Sequence, residues 1–382
     1  MPNFVDNNTS LPANKTDLVP IPVSALATNY VAANDYNSLS QASQDIRTVV
    51  ERQVSLMSYN ADPTGTSDNS AAFAAAFAGM TDGGVLHLPG INSGTTAVYK
   101  ITANVTVPKN ITLSFDNALI SITSGHTLTI NSSIAAANQQ IFESSNTTPV
   151  VINSAGDKIP VQWFCAVGDG ATDDTLAIQQ AINAISASSG AWGGVGGLSG
   201  TIFIPTGKYN ISSTLTVTNT CFFTLAGENP GSQLWWTGTS SGTPMLYLVN
   251  DYFPTIKDLL FFGNYLYPPS CAIQLAEYLA IKTTPGSTHA RLLNLHLYSN
   301  PLNADGPGLV DGILWKNVDF DGNNDVSHVE DVSLQGPFTN CFNIQGGNSL
   351  AHTFINIFCE DYTDNVWNTT LGAGGSFSSY GG

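Results

Sequence analysis

From about residue 54 onward the apolar side chains fall in short alternating runs closed by Gly, Pro or Asn, the period-two pattern of half-buried strands. Two stretches depart from it. Between Phe164 and Gln179 a strand and a tight glycine turn at Gly168 to Gly170 lead into Ile178, Ala181, Ile182 and Ile185 at helical spacing. That spacing predicts a helix with one buried stripe, capped at its start by Asp173 or Asp174. Tyr59 to Phe77 repeats the plan, with Asp68, Ser70, Phe73 and Phe77 standing where Asp173, Thr175, Ile178 and Ile182 stand. After each helix come a Gly-rich loop and a strand closed by proline, Gly84 to Pro89 and Gly200 to Pro205. The chain therefore contains an internal duplication, with one copy over 54–160 and the other over 161–382.

The second copy repeats again within itself. Ile256 to Phe261, Leu292 to Leu297, Val329 to Leu334 and Phe354 to Cys359 share the order apolar, variable, Asx, apolar, variable, apolar. Their Asx positions, 258, 294, 331 and 356, step by 36, 37 and 25 residues. Each segment is followed by a second apolar strand, at Ala272-Ile273, Gly312 to Leu314, Phe342 to Ile344 and Val366-Trp367. A unit this short cannot bury its apolar face alone, so successive units are expected to stack as coils of a parallel β-helix. The Asx side chains are then expected to form a hydrogen-bonded column at one corner.

Composition adds exclusions. The 382 residues carry 28 acids against 11 Lys and Arg, a formal net charge of −17, yet only 10% of residues are charged. A surface so poor in cations lacks the electrostatic footprint of a nucleic-acid or anionic-membrane binder. No apolar run approaches the roughly 18 to 20 residues that cross a bilayer, so no membrane insertion is expected. Met1 to Ser10 has no basic start followed by an apolar run, so no signal peptide is expected. The five cysteines are widely spaced with no CxxC pair, and the expectation is free buried thiols. The six histidines show neither HxH nor HExxH spacing, so no metal and no cofactor is expected.

Residues 1–53 differ from the rest. Pro12, Pro20 and Pro22 keep an extended strap, and a helix is expected from Asn34 as N-cap to about Glu51, with Tyr36, Leu39, Ile46 and Val50 on one face. That face packs either on its own chain or in a trimeric bundle.

The string Gly168-Asp169-Gly170, Asp173-Asp174-Thr175 and Ala177-Ile178-Gln179, the strand Ile202 to Pro205, the turn Leu225 to Glu228 and the rung Lys257-Asp258-Leu259 resemble the pectate-lyase-like right-handed β-helix family. With the N-terminal segment ahead of it, the arrangement is similar to bacteriophage tailspike and tail fibre proteins. The resemblance runs from about residue 54 onward, and its motifs are more specific for the fold than for the chemistry. It implies a mainly β fold, a right-handed parallel β-helix, assembled as a homotrimer on the virion tail. It further implies that residues 1–53 dock on phage tail or baseplate proteins, and that a host surface glycan is bound along the coil, with or without cleavage. A non-catalytic adhesin and a structural stem stay open as alternatives.

Hydrolysis of a polysaccharide needs two carboxylates about 5 to 9.5 Å apart across the scissile bond. Asp319, Asp321 and Glu330 on one coil, with Glu360 and Asp361 on the next, are the candidate catalytic residues, because neighbouring coils lie about 4.8 Å apart. The competing reading is that these are solvated loop acids. Elimination in the family uses an Arg or Lys base with calcium held by carboxylates, and the second copy supplies few cations, so hydrolysis is favoured. Trp235, Trp236, Trp315, Tyr362 and Trp367 are the candidate sugar-stacking rings, although about half of the aromatics in such strands are expected to pack inside. Fourteen acids precede residue 200 and fourteen follow it, so acidity marks no site and favours neutral over strongly anionic glycans.

Overall fold

The computed structural model describes residues 53–91, 95–154, 158–186, 200–218, 220–276, 289–300, 308–316, 325–345, 351–369 and 377–380. The expected strap and helix before residue 52, and the candidate carboxylates Asp319 and Asp321, lie outside the described residues. Met1–Val54 and Ser55–Gly382 are two compact units, and the architecture below belongs to the second.

In the first copy three turns of chain lay down three strands each. Gly84–Leu88, Ile111–Phe115 and Ile134–Ala135 form one parallel sheet. Ala97–Ile101, Ala118–Ile122 and Phe142–Glu143 form a second, and Val105–Val107, Leu128–Ile130 and Val150–Ile152 a third. Following the chain leads once around the three sheets and then one rung onward, which is the winding of a β-helix.

The second copy winds the same way through six turns. Its third face is the simplest: Leu215–Thr218, Leu246–Val249, Cys271–Ala276, Asp311–Trp315, Phe338–Ile344 and Tyr362–Thr369 stack in parallel order. The first face starts with Thr201–Ile204 and Thr224–Gly227, and the second with Asp169–Asp173, Gly207–Ile211 and Ser232–Trp236. From the third turn the first and second faces share one bent strand, Thr255–Phe262, then Arg291–Tyr298, His328–Gln335 and His352–Cys359.

The bend has a backbone cause. Asp258, Asn294, Asp331 and Asn356 sit at φ of 58°, 48°, 54° and 51°, a left-handed conformation that Asx tolerates better than other side-chain-bearing residues. Asn294 Nδ2 donates to Asp258 Oδ1 at 2.9 Å, and Asn356 Nδ2 donates to Asp331 Oδ1 at 2.6 Å. The corner column expected from the repeat is present, as bonded Asp and Asn pairs. The corner from the third face back to the first also turns left-handed, but without Asx. Phe222, Phe253, His289, Val326 and Ala351 there have φ between 55° and 59°. Each stands two residues ahead of one register column, Thr224, Thr255, Arg291, His328 and Thr353.

Inward positions align rung upon rung. Ile202, Leu225, Ile256, Leu292, Val329 and Phe354 form the first-face column, and all are buried. Leu215, Leu246, Ile273, Ile313 and Phe342 form the third-face column and are likewise buried. Each such side chain contributes roughly 1.5 to 3 kcal/mol by leaving water. Stability is therefore spread along the axis, each coil depending on its neighbours.

The helices Ser70–Gly79 and Thr175–Ser186 begin with the same bonding arrangement. Asn69 Oδ1 accepts the Asp62 amide at 2.6 Å, and Asp174 Oδ1 accepts the Val167 amide at 2.6 Å. Asp68 and Asp173 each accept the amide two residues ahead, at 3.0 Å. The two acids at the second helix thus divide the work: Asp173 caps it, and Asp174 ties down the preceding turn.

The cysteines correct an expectation. Cys341 and Cys359 form a disulfide with Cα atoms 6.7 Å apart, whereas Cys165, Cys221 and Cys271 are free. Only 18 residues separate the bonded pair, less than one turn here, so the winding itself returns one cysteine to the other.

Candidate functional site

Strand parity decides which aromatics reach solvent. In Ser232–Trp236, Leu234 and Trp236 point inward, leaving Trp236 only 3% exposed, while Trp235 points outward. Trp315 follows the inward Ile313 by two and is fully buried, its indole N–H donating to Ser327 Oγ at 3.0 Å. Neither Trp236 nor Trp315 can meet a sugar, which corrects the expectation for both. Trp235 is corrected for a different reason. Its ring stacks on Phe262 with centroids 4.0 Å apart, and Lys208 Nζ stands 3.7 Å from the ring centroid. Both faces are occupied within the protein, and the indole N–H donates to Gln233 Oε1 at 2.9 Å. Phe262 in turn stacks on Tyr298 at 4.8 Å, so Lys208, Trp235, Phe262 and Tyr298 make a ladder on the outer second face.

Two of the candidate rings are exposed. Trp367 continues the inward column beneath Phe342, at 4.6 Å, yet is 40% exposed on the last rung of that face among the described residues. Tyr362 is 46% exposed and begins the same strand.

The described candidate carboxylates, Glu330 on one coil and Glu360 with Asp361 on the next, do not converge. Glu330 lies on the outer first face, where its Oε2 is 2.9 Å from His328 Nε2. Arg291 is the register partner of His328 one rung above. Glu360 and Asp361 are exposed beyond the second-face strand, with Asp361 at φ 59° at the corner. In register Glu330 stands level with Ile355, five residues before Glu360, on the other side of the Asx bend. That is about 16 Å of extended strand, shortened by the bend but set on a different face, against about 5 to 9.5 Å for a working pair. The expectation that Glu330 faces Glu360 and Asp361 is corrected accordingly. Among the described residues no group of three or more His, Cys, Asp or Glu side chains is placed to hold a metal ion.

What the fold does bring together is an outer patch on the second face. Tyr298 pairs in register with Gln335, and Glu360 follows as the next residue after Cys359, the partner of Leu334. Beside them His296, Ser333 and Phe358 form the adjoining column, with Phe358 52% exposed. Among the described residues no ring stacks beneath Tyr298, so the ladder ends there and the patch begins. It combines two apolar rings with an amide, a hydroxyl, an imidazole and a carboxylate over three rungs. Sequence reasoning named Glu360 there but assigned no role to His296, Ser333, Gln335 or Phe358. The available signal was the repeat itself: outward second-face positions fall two and four residues after each Asx.

Comparisons with known proteins bear on the fold. The family described as rhamnogalacturonase A/epimerase, pectate lyase-like, matches residues 159–243. No curated protein matches the chain. Among solved structures, ORF18 of Geobacillus virus E2 is similar at 15% identity and TM-score 0.27, over 58% of this chain and 61% of its own length. The chain thus spans less than two thirds of that viral protein. PfbA, a surface adhesin of Streptococcus pneumoniae, is similar at 9% identity and TM-score 0.25, over 83% of this chain and 93% of its own. The A-module of the Azotobacter vinelandii mannuronan C-5 epimerase AlgE6 is similar at 9% identity and TM-score 0.24, over 83% of this chain and all 100% of its own. Strand register establishes the fold as a mainly β, right-handed parallel β-helix, and over residues 159–243 the chain is similar to the pectate-lyase-like family.

Proposed function

We propose that this chain is a phage tail protein that binds a host surface polysaccharide along the outside of its β-helix, with residues 1–53 docking it on the virion and three copies forming the working particle. The second-face patch carries the reading. Tyr298 and Phe358 supply apolar surface, while Gln335, Ser333 and Glu360 supply hydrogen-bonding groups repeated at the coil spacing of about 4.8 Å, which suits a linear chain of hydroxylated rings. Tyr362, just around the corner from Glu360, extends the apolar surface. Binding is the primary activity in this reading, because Glu330 and Glu360 stand on different faces. Hydrolysis, if the chain performs it, falls to a pair that includes Asp319 or Asp321, in preference to elimination.

The test is a binding titration with capsular polysaccharide or lipopolysaccharide from candidate hosts. Tyr298→Ala and Gln335→Ala should each weaken binding at least about tenfold with the strand circular dichroism spectrum of the folded chain retained. Unaltered affinity in both variants overturns the assignment of the patch. New reducing ends would add hydrolysis, and a monomeric mass by light scattering would remove the trimer.

A further inference from the structure

A cleft of about 460 Å³ opens where the two copies meet, away from the second-face patch. Ile134 and Asn138 of the first copy form one wall, Lys158 and Trp163 come from the connection, and Phe203 and Glu228 belong to the second copy. Phe203 points outward on the first face between the buried Ile202 and Ile204, in register with Pro160.

Three kinds of group converge there, and each is fixed by a neighbour. Lys158 Nζ stands 3.1 Å from the centroid of the Phe203 ring, a cation held over a π face whose N–H groups meet no acceptor among the described residues. Glu228 Oε2 accepts both the amide and the hydroxyl of Thr206, each at 2.9 Å, which orients the carboxylate. The other oxygen, Oε1, accepts no bond from the described residues. Those two bonds, then the nearby Lys158 charge, hold the Glu228 carboxyl below its ordinary range, so it is an acceptor at neutral pH. Trp163 and Phe203 are 5% and 6% exposed and form the floor. The Trp163 N–H donates to Ala137 O at 2.9 Å, so the floor presents carbon to the cleft.

This set selects against simple ligands. A bare anion is opposed by Glu228 and a bare cation by Lys158. A sugar bearing hydroxyls alone can also bond both charges, but it lacks the methyl that the apolar lining beside them would take up. An acetamido group has one N–H, one carbonyl and one methyl, and each has a counterpart here.

We propose that the cleft binds an N-acetylated amino sugar. The acetamido N–H donates to Glu228 Oε1, its carbonyl accepts from the Lys158 ammonium or the Asn138 amide, and its methyl packs against Ile134, at the edge of the buried Trp163 and Phe203 rings. A cleft of this volume falls within the roughly 300 to 1,000 Å³ of small-molecule sites, which suits one or two sugar rings. No residue of the cleft belongs to the second-face patch, so the two assignments stand or fall separately.

Calorimetric titration of the full chain with three dimers tests the proposal: N,N'-diacetylchitobiose, its deacetylated glucosamine counterpart, and cellobiose. The acetylated dimer should bind at least about tenfold more tightly than either of the others. Glu228→Ala should abolish that preference. Asn138→Trp, at an exposed position where folding is not at risk, should block the cleft and remove binding. Tyr298→Ala should leave it unchanged. Equal affinity for all three dimers, binding to none at millimolar concentration, or binding that survives Asn138→Trp overturns the proposal. Loss of binding in Tyr298→Ala with retention in Asn138→Trp overturns it too, and places the sugar on the second face.

Discussion

Replacing Asn294 separates two contributions to the first corner. Its backbone is held at φ 48° and its amide donates to Asp258 at 2.9 Å. Asn294→Gly leaves the left-handed turn easy and removes the bond. Asp258 is 31% exposed on its side chain, so water competes and the bond is worth nearer about 1 kcal/mol than the upper value for charged partners. The looser unfolded chain of glycine adds about 0.5 kcal/mol. Asn294→Ala loses the same bond and puts a residue with no local polar compensation at positive φ, for a further 1 to 2 kcal/mol or so. The expected losses are about 1.5 kcal/mol for glycine and about 2 to 3 kcal/mol for alanine. Denaturant unfolding followed by strand circular dichroism reads the difference as a shift in midpoint at constant slope. The ranking is the decisive point. An alanine variant as stable as the glycine variant refutes the claim that the corner demands a left-handed residue, and two neutral variants refute the bond as well.

Three further outcomes are expected. Val326 is β-branched, 42% exposed and held at φ 57°, so Val326→Gly should raise stability by about 1 kcal/mol; a lower unfolding midpoint would contradict strain at the second corner. Burial raises the fully buried Asp251 carboxyl from 3.8 to about 7, against the bonds it accepts from Thr220, and burial lowers His352 from 6.5 to about 4. The raised Asp251 contributes stability that is complete below pH 3.8 and lost as pH rises toward 7. The depressed His352 contributes stability that is complete above pH 6.5 and lost as pH falls toward 4. Each is worth roughly 3 to 4 kcal/mol, and the two contributions oppose each other between pH 4.5 and 6.5. Asp251→Asn should gain stability with rising pH and His352→Gln should lose it, and slopes of the same sign in urea unfolding would refute the pairing. Finally, Cys341→Ser should cost about 3 kcal/mol through the loop of 18 residues, whereas Cys165→Ser at an exposed free thiol should be neutral in the same assay.

The duplication and the repeating rungs were readable because each depends on local chemistry. A helix start needs Asp173 or Asp68 as a cap, and a left-handed corner favours Asx at 258, 294, 331 and 356, so both leave the same letters at equivalent places. The first copy's third face was not readable, because Val105–Val107 and Leu128–Ile130 are too short to show alternation. At the site, the misplacements came from position across coils. Trp235 and Trp236 look alike as letters, and only the inward direction of Leu234 separates them. The occupation of both faces of Trp235 depends on Lys208 and Phe262, which lie one rung to either side and are joined only by register. The disulfide stayed hidden behind an odd cysteine count, although the short step of 25 residues from Asp331 to Asn356 already marked the coil in which two cysteines come close.

The bonded pairs at the first corner set a rule for how such a stack can change length. Asp258 with Asn294, and Asp331 with Asn356, make the hydrogen-bonded unit two coils long. One extra coil copied into the middle strands either an amide with no carboxylate or a carboxylate with no amide. In the latter case two carboxylates stand about 4.8 Å apart, repelling by about 1 kcal/mol even at the dielectric of water. Two coils copied together keep every donor matched to an acceptor. In its apolar pattern this chain repeats by single coils, and in the hydrogen bonds of its first corner it repeats by twos.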